Sequence, residues 1–176
     1  EIQEYNNDIY NKDYKMNNWF NQKYNIVKNI IKKDNILVIG AIKKELDVYS
    51  EIFHDIIPNN LTYHPLWNND PVENLKFPDK SFNTVIALDV IEHTINMNIS
   101  VMEMVRITKE QLILCVPFNV FALDHLHNFE SSKNILNFFK NLNLVGKYTV
   151  YRLDLEEDLI IEDDNALMGL IIISFD

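Results

Sequence analysis

Asp89, Glu92 and His93 form an Asp-x-x-Glu-His array directly after one short apolar run, and His125 and His127 form a second polar group shortly after another. If a helix starts near Asp89, residues 89, 92 and 93 share one helical face, so two carboxylates and an imidazole converge on a small volume. A neutral imidazole there can take a proton from a hydroxyl or complete a metal site. The plainer alternative is structural, with the acid capping a helix and the histidine packing beneath a ligand. His93, His125 and His127 are the candidate catalytic residues, and no residue is assigned as a metal ligand.

The elements that must position these groups are strands of a buried sheet. Phe82 to Leu88, with β-branched Thr84, Val85 and Ile86, follows the turn Pro78-Asp79-Lys80-Ser81 and has the pattern of a strand buried on both faces. Ile36 to Ile39 and Leu112 to Val116 read the same way. If Phe82 to Leu88 and Leu112 to Val116 are neighbours, both histidine groups open on the carboxyl edge of a parallel sheet, where open α/β folds bind ligands.

Asn11 to Lys33 reads as one amphipathic helix or two short ones, with Trp19, Phe20, Tyr24, Val27, Ile30 and Ile31 at helical spacing. Glu45 to Phe53 carries Leu46, Tyr49, Ile52 and Phe53 on one helical face, and Pro58-Asn59-Asn60 is expected to stop it. Leu61 to His64 is the expected second strand and Val72 to Leu75 a weak third. A helix follows from about Ser131 to Asn141, and then two strands, Leu144 to Leu155 and Leu167 to Phe175. With only an acidic loop between them, those two strands must pair antiparallel, because a parallel return needs a crossover. Arg106 is expected to pair with Glu103 or Asp55.

Length and charge bound the function. At 176 residues and 47% hydrophobic content, one well-filled domain is expected. The net charge of −10 argues against a broad footprint on free DNA, since phosphate binding needs clustered Lys and Arg. Seven acids without a base between Asp154 and Asp164 read as a solvated loop. No apolar run is long enough to cross a bilayer, so no membrane role is expected. The single cysteine, Cys115, lies within an apolar run and reads as a buried, inert thiol in a reducing compartment, and a cytoplasmic setting is expected.

The run Phe77-Pro-Asp-Lys-Ser-Phe-Asn-Thr-Val-Ile-Ala-Leu-Asp-Val-Ile-Glu-His93 resembles the fourth-strand region of class I S-adenosylmethionine-dependent methyltransferases. Asn35-Ile-Leu-Val-Ile-Gly40 is similar to that superfamily's first strand, Met102-Glu-Met-Val-Arg-Ile107 to its "L-x-E-x-x-R-V" helix, and Leu112-Ile-Leu-Cys-Val-Pro117 to its fifth strand. His125-Leu-His-Asn-Phe-Glu-Ser131 resembles its "H-x-x-x-F-T" segment. The resemblance implies a Rossmann-like α/β fold: a mostly parallel sheet with a C-terminal antiparallel hairpin and helices on both faces. It implies a methyltransferase-like domain over 34–176, preceded by a helical segment, 1–33, packed on that core.

It further implies S-adenosylmethionine as cofactor, a small-molecule acceptor, and cofactor contacts at Gly40, Ala41, His64, Asp70, Pro71 and Asp89. Asp70 would accept from the adenine amino group; an Asx-turn within Asn68-Asn69-Asp70-Pro71 is the structural alternative. Trp67 would stack on the adenine or, more plainly, pack. The chain departs from the pattern at Gly40-Ala41-Ile42-Lys43-Lys44, which keeps one glycine of three, at Val38, where an acid is usual, and at Tyr63-His64-Pro65-Leu66-Trp67, which offers no ribose-binding carboxylate. Relatives with Glu-x-x-Glu-His bind a divalent metal; the shorter Asp89 argues against one here. Methyl transfer to an oxygen or nitrogen of a small metabolite or sugar is the expected activity. A domain that has lost cofactor binding and acts as a scaffold or regulatory partner is the alternative.

Overall fold

The structure, a computed structural model, describes residues 14–61, 67–118, 122–144, 146–153 and 168–175. Strands β1 (Ile36–Ile39), β2 (Ile56–Asn59), β3 (Phe82–Leu88), β4 (Thr108–Pro117), β5 (Lys147–Leu153) and β6 (Met168–Ser174) form one sheet in the order β2-β1-β3-β4-β6-β5. The first four run parallel, and β6 lies antiparallel between β4 and β5. The last two strands thus pair antiparallel, as the sequence predicts.

Alternation along each strand feeds two cores. Leu37, Ile39, Val85, Ala87, Leu112 and Leu114 face helices α3 (Met97–Ile107) and α4 (Ser132–Asn141). Their neighbours Ile36, Val38, Ile86, Leu88, Ile113 and Cys115 face the first helix, α1 (Tyr14–Ile30), and the short α2 (Lys43–Tyr49). Residues one apart point to opposite faces, so a strand apolar at every position must be covered on both. Tyr24, Val27 and Ile31 are buried in the second core, each contributing about 1.5–3 kcal/mol of apolar burial.

Four expectations are corrected. The second strand is Ile56–Asn59, and 62–64 of the expected run Leu61 to His64 lie outside the described residues. Pro58 therefore does not stop a helix; it sits in an edge strand, where its missing N–H leaves no ladder bond unmade. The helix ahead of it ends at Tyr49, with Ser50 donating its N–H to the Leu46 carbonyl. Val72–Asn74 is a single helical turn rather than a third strand, since Pro71 leads into it and Asn74 N–H closes it on the Pro71 carbonyl.

The remaining correction concerns the site. No helix starts at Asp89: its φ is +55° and only a one-turn 3-10 segment, Ile91–His93, follows before Asn96 caps α3 by accepting the Ile99 N–H. Residues 89, 92 and 93 therefore do not share a helical face. Arg106 pairs with Glu103, as expected, and with Asp79 rather than Asp55. The acidic run from Asp154 to Asp164 and His64 lie outside the described residues.

Candidate active site

The chain passes from β1 to β2 on one side and then crosses to β3 on the other. That reversal opens a crevice between the carboxyl ends of β1 and β3, the usual ligand position in such sheets. A cavity of about 300 Å³ lies there, lined on one side by Ile39, Gly40, Asn59, Asn60 and Leu61 and on the other by Asp89, Val90, His93, Thr94 and Ile95. Pro71, Val72 and Glu73 complete it.

Gly40 has φ +71°, and a Cβ placed on it would lie 2.5 Å from Cγ2 of Val90. Glycine is required on both counts. Ala41 is buried beside it, donating its N–H to the Asn59 carbonyl while its own carbonyl accepts from Asn60 Nδ2. With the second strand ending at Asn59, the amides of Asn59 and Asn60 are the polar groups that the described residues bring to the cavity at its tip. Buried Asn59 in turn donates to Asn68 Oδ1 and to the Asp70 carbonyl.

Pro71 lines the cavity, but the Asp70 carboxylate is turned to Lys76. It accepts the Lys76 backbone N–H at 3.2 Å and pairs with the Lys76 ammonium at 3.3 Å. Burial raises its proton affinity, yet the bonds from Lys76 outweigh this and hold the carboxyl below its usual range. Asn68 Oδ1 also accepts the Asp70 N–H, which is an Asx-turn. Trp67 packs against the core shared with α1 and α2.

Asp89 lies where β3 ends, its N–H held by the Cys115 carbonyl. Its carboxylate is ion-paired to the ammonium of Lys23, whose side chain is 0% exposed. Burial lowers the proton affinity of that ammonium, but Asp89 above all reverses the effect and leaves it raised. Glu45, fully buried in α2, accepts from Tyr49 Oη at 3.0 Å; burial pushes its carboxyl up to about 8. Burial also raises the Cys115 thiol, which makes it a poor nucleophile.

Glu92 is completely buried, and neither carboxylate oxygen has a hydrogen-bond partner among the described residues. Burial first, and the Asp89 charge second, push it up to about 8, so it is protonated at neutral pH. Its backbone carbonyl accepts the N–H groups of Leu126 and His127, which folds the loop after β4 over the 91–93 turn. The His125 ring sits edge-on to the His93 ring at 4.8 Å between centroids. His127 Nε2 lies 2.9 Å from the Thr94 carbonyl, and His93 Nδ1 lies 3.0 Å from the Asp124 carbonyl. A carbonyl only accepts, so His93 carries its proton on Nδ1, and Nε2 is its basic nitrogen.

The two histidine groups thus meet at the cavity mouth. Glu92, His93 and His125 bring one ligand atom each within 4.8 Å of one another. A cation held there would have to displace the Glu92 proton, since it is the carboxylate that ligates.

A family model described as a methyltransferase domain matches residues 55–116. Three solved structures share the whole arrangement at low identity. An S-adenosylmethionine-dependent methyltransferase from Clostridium acetobutylicum aligns with a TM-score of 0.64 and 11% identity, over 99% of this chain and 99% of that one. A Burkholderia thailandensis 1,6-didemethyltoxoflavin-N1-methyltransferase, with bound 1,6-didemethyltoxoflavin and S-adenosylhomocysteine, gives 0.69 and 10% over 96% and 81%. The methyltransferase in a Haloferax volcanii complex with the Trm112 activator gives 0.62 and 12%, over 89% of each. No curated protein matches in sequence.

The chain has the class I methyltransferase fold. The residues lining the crevice described above suit a group such as S-adenosylmethionine. Ile39, Pro71, Val72 and Val90 offer apolar walls to a heterocycle, Gly40 exposes backbone, and Asp89 and Glu73 place negative charge beside a cation. No helix among the described residues is long and apolar enough to cross a membrane.

Lys23, Asn59 and Asn60 escaped the sequence reading. Lys23 falls on the apolar stripe of α1 with Phe20, Tyr24 and Val27, and a charge on that stripe was the available signal. Glu92 is legible in the sequence as a member of the Asp-x-x-Glu-His array, but not its burial, because no α-helix forms there.

Proposed function

We propose that the chain is an S-adenosylmethionine-dependent methyltransferase acting on an oxygen or nitrogen of a small metabolite or sugar. The supporting observation is a single crevice at the sheet's reversal point that is bounded by Gly40 and Asp89 and reached by His93. Gly40, Pro71 and Asp89 hold the cofactor, with Ala41 shaping the turn; His64 and Asp70 belong to this reading as flanking contacts. When bound, S-adenosylmethionine supplies an electrophilic methyl group whose transfer leaves a neutral thioether.

The chain's part is positioning and proton removal. The Nδ1–H of His93, donated to the Asp124 carbonyl, fixes the tautomer in which Nε2 accepts the proton of an acceptor hydroxyl or amine. His125 holds the ring edge-on, and His127, donating to the Thr94 carbonyl, pins the backbone beyond it. The segment 1–33 acts with the domain 34–176 by carrying Lys23 to Asp89. A cytoplasmic setting completes the proposal.

A second reading, a scaffold without cofactor, is favoured by the amides at Asn59 and Asn60 and by Asp70 being engaged with Lys76. Calorimetric titration with S-adenosylhomocysteine separates the two. Heat of binding supports the enzyme; neither heat nor a thermal shift at millimolar ligand leaves only the scaffold.

A further inference from the structure

The cavity of about 300 Å³ is at the low end for a small-molecule site, so an acceptor bound alongside a cofactor must lie largely against its mouth. The character of that mouth is therefore the character of the acceptor. Two cavity-lining residues, Leu61 and Ile95, are 70% and 86% exposed. On the loop over His93, Leu123 is fully exposed and Leu126 is 59% exposed.

These side chains stand on a fixed backbone. Glu73 accepts the N–H of Ile95 at 3.0 Å, and Thr94 Oγ1 donates to the Ile91 carbonyl at 2.8 Å. Leu126 N–H donates to the Glu92 carbonyl at 2.8 Å, and the Asp124 carbonyl takes the Nδ1–H of His93. The backbone on both sides of His93 is thus hydrogen-bonded in place while its large apolar side chains project outward. Scattered surface aliphatics need no explanation; two on the cavity lining, Leu61 and Ile95, and two on the loop hydrogen-bonded over the 91–93 turn, Leu123 and Leu126, mark a surface built to be covered.

Charge narrows the class. Among the described residues lining the cavity there is no Lys or Arg, whereas Glu73 and Asp89 are acids. A phosphorylated or carboxylated acceptor would meet no cation and two carboxylates, in a chain of net charge −10. A sugar would leave its hydroxyls facing aliphatic carbon.

We propose that the methyl acceptor is a neutral or cationic molecule whose hydroxyl or amine is carried on an aromatic or aliphatic body, the body covering Leu61, Ile95, Leu123 and Leu126 while the nucleophile meets His93. The proposal rests on the methyltransferase reading above and specifies its substrate class. In the bound state the acceptor's O–H or N–H proton passes to His93 Nε2 as its lone pair bonds to the methyl carbon, and the sulfonium keeps the electron pair of the broken carbon–sulfur bond.

The test uses the full chain saturated with S-adenosylhomocysteine and ligand-observed saturation-transfer NMR. The probes are 4-ethylphenol, tryptamine, glucose and glucose 6-phosphate. Expected are binding of 4-ethylphenol and tryptamine, no binding of the two sugars, and about tenfold weaker binding of the first pair to the Leu123→Ser/Leu126→Ser variant, the loss expected from removing two exposed apolar contacts. Thermal unfolding of the variant reports that it is folded, since both positions are exposed. Sugars bound as well as the apolar probes, neither apolar probe bound, or equal binding by the variant overturns the proposal. Failure of S-adenosylhomocysteine itself to bind is a different result, and it removes the methyltransferase reading on which the proposal stands.

Discussion

The ammonium of Lys23 on α1 is ion-paired to the carboxylate of Asp89 beyond β3, residues 66 apart in the chain. The pair joins the first helix to the crevice, and its two ends are unequal: Lys23 is wholly buried while Asp89 keeps 29% exposure. Lys23→Met removes the buried charge but leaves Asp89 facing apolar core. Stability should fall by roughly 3 kcal/mol, the low end for breaking a buried pair because Asp89 retains some water. Lys23→Met/Asp89→Asn should recover most of it. Urea unfolding of the two variants measures this, and a double variant no more stable than the single one would show that the pair is not the cause.

Gly40 is tested by Gly40→Ala. The positive φ and the Val90 side chain at 2.5 Å from an added Cβ both oppose it, so the turn after β1 must shift. Affinity for S-adenosylhomocysteine should drop at least about tenfold, with a stability loss of about 1–2 kcal/mol. Val90→Ala in the same background relieves only the contact and should restore part of the loss.

The sheet was legible because strands covered on both faces are apolar at every position, as at Phe82 to Leu88, and because the sequence between β5 and β6 carries an acidic run rather than a helical pattern, which predicts an antiparallel pair. The edge strand was misplaced for the opposite reason: Ile56-Ile57-Pro58-Asn59 is short, half-exposed and contains proline, and edge strands bury too little to leave a pattern. At the site, residue types were readable but geometry was not. A single positive φ at Asp89 turns an apparent helical face into a turn, and that depends on long-range contacts such as Lys23 and the Cys115 carbonyl. The Asn59 and Asn60 amides were missed because the strand that presents them was displaced in the reading.

Arg106 ties α3 to the loop before β3. Its guanidinium donates to both oxygens of Glu103, to Asp79, and to the carbonyls of Leu75 and Phe77. Those bonds hold the Glu103 carboxyl below, and the guanidinium above, their ordinary ranges. A lysine ammonium cannot reproduce this planar fork, so Arg106→Lys should destabilise by about 1–2 kcal/mol. Arg106→Ala should cost more by leaving two carbonyls without donors. Thermal unfolding that ranks the lysine variant equal to wild type would contradict a role for the fork geometry.

His93→Ala should lower turnover of a hydroxyl acceptor by about 100-fold or more, the scale of a lost general base, with affinity for S-adenosylhomocysteine reduced far less. His127→Ala acts through the backbone that His127 holds at Thr94, and should raise KM more than it lowers kcat. Raising pH with an acceptor of low pKa should rescue His93→Ala but not His127→Ala. Unchanged turnover in both variants would remove the proton-transfer role.

Glu92 and Glu45 give the fold an unusual pH dependence. Both carboxyls ionise near 4.5 when free and are pushed up to about 8 by burial. Between those values the folded chain holds two protons that the unfolded chain has released, so these groups make stability fall as pH rises and level off above about 8. Asp70 and Glu103, held below their usual range, act oppositely and only on the acid side, where stability is lost as pH drops. Glu92→Gln keeps a neutral side chain of the same shape. It should match wild type near pH 5 and gain on the order of a few kcal/mol by pH 8, each pKa unit being worth about 1.4 kcal/mol. Urea midpoints at three pH values in that window measure the slope. Parallel curves for variant and wild type would mean that Glu92 ionises in the fold as it does in water, and that its two buried oxygens find partners among groups other than the proton.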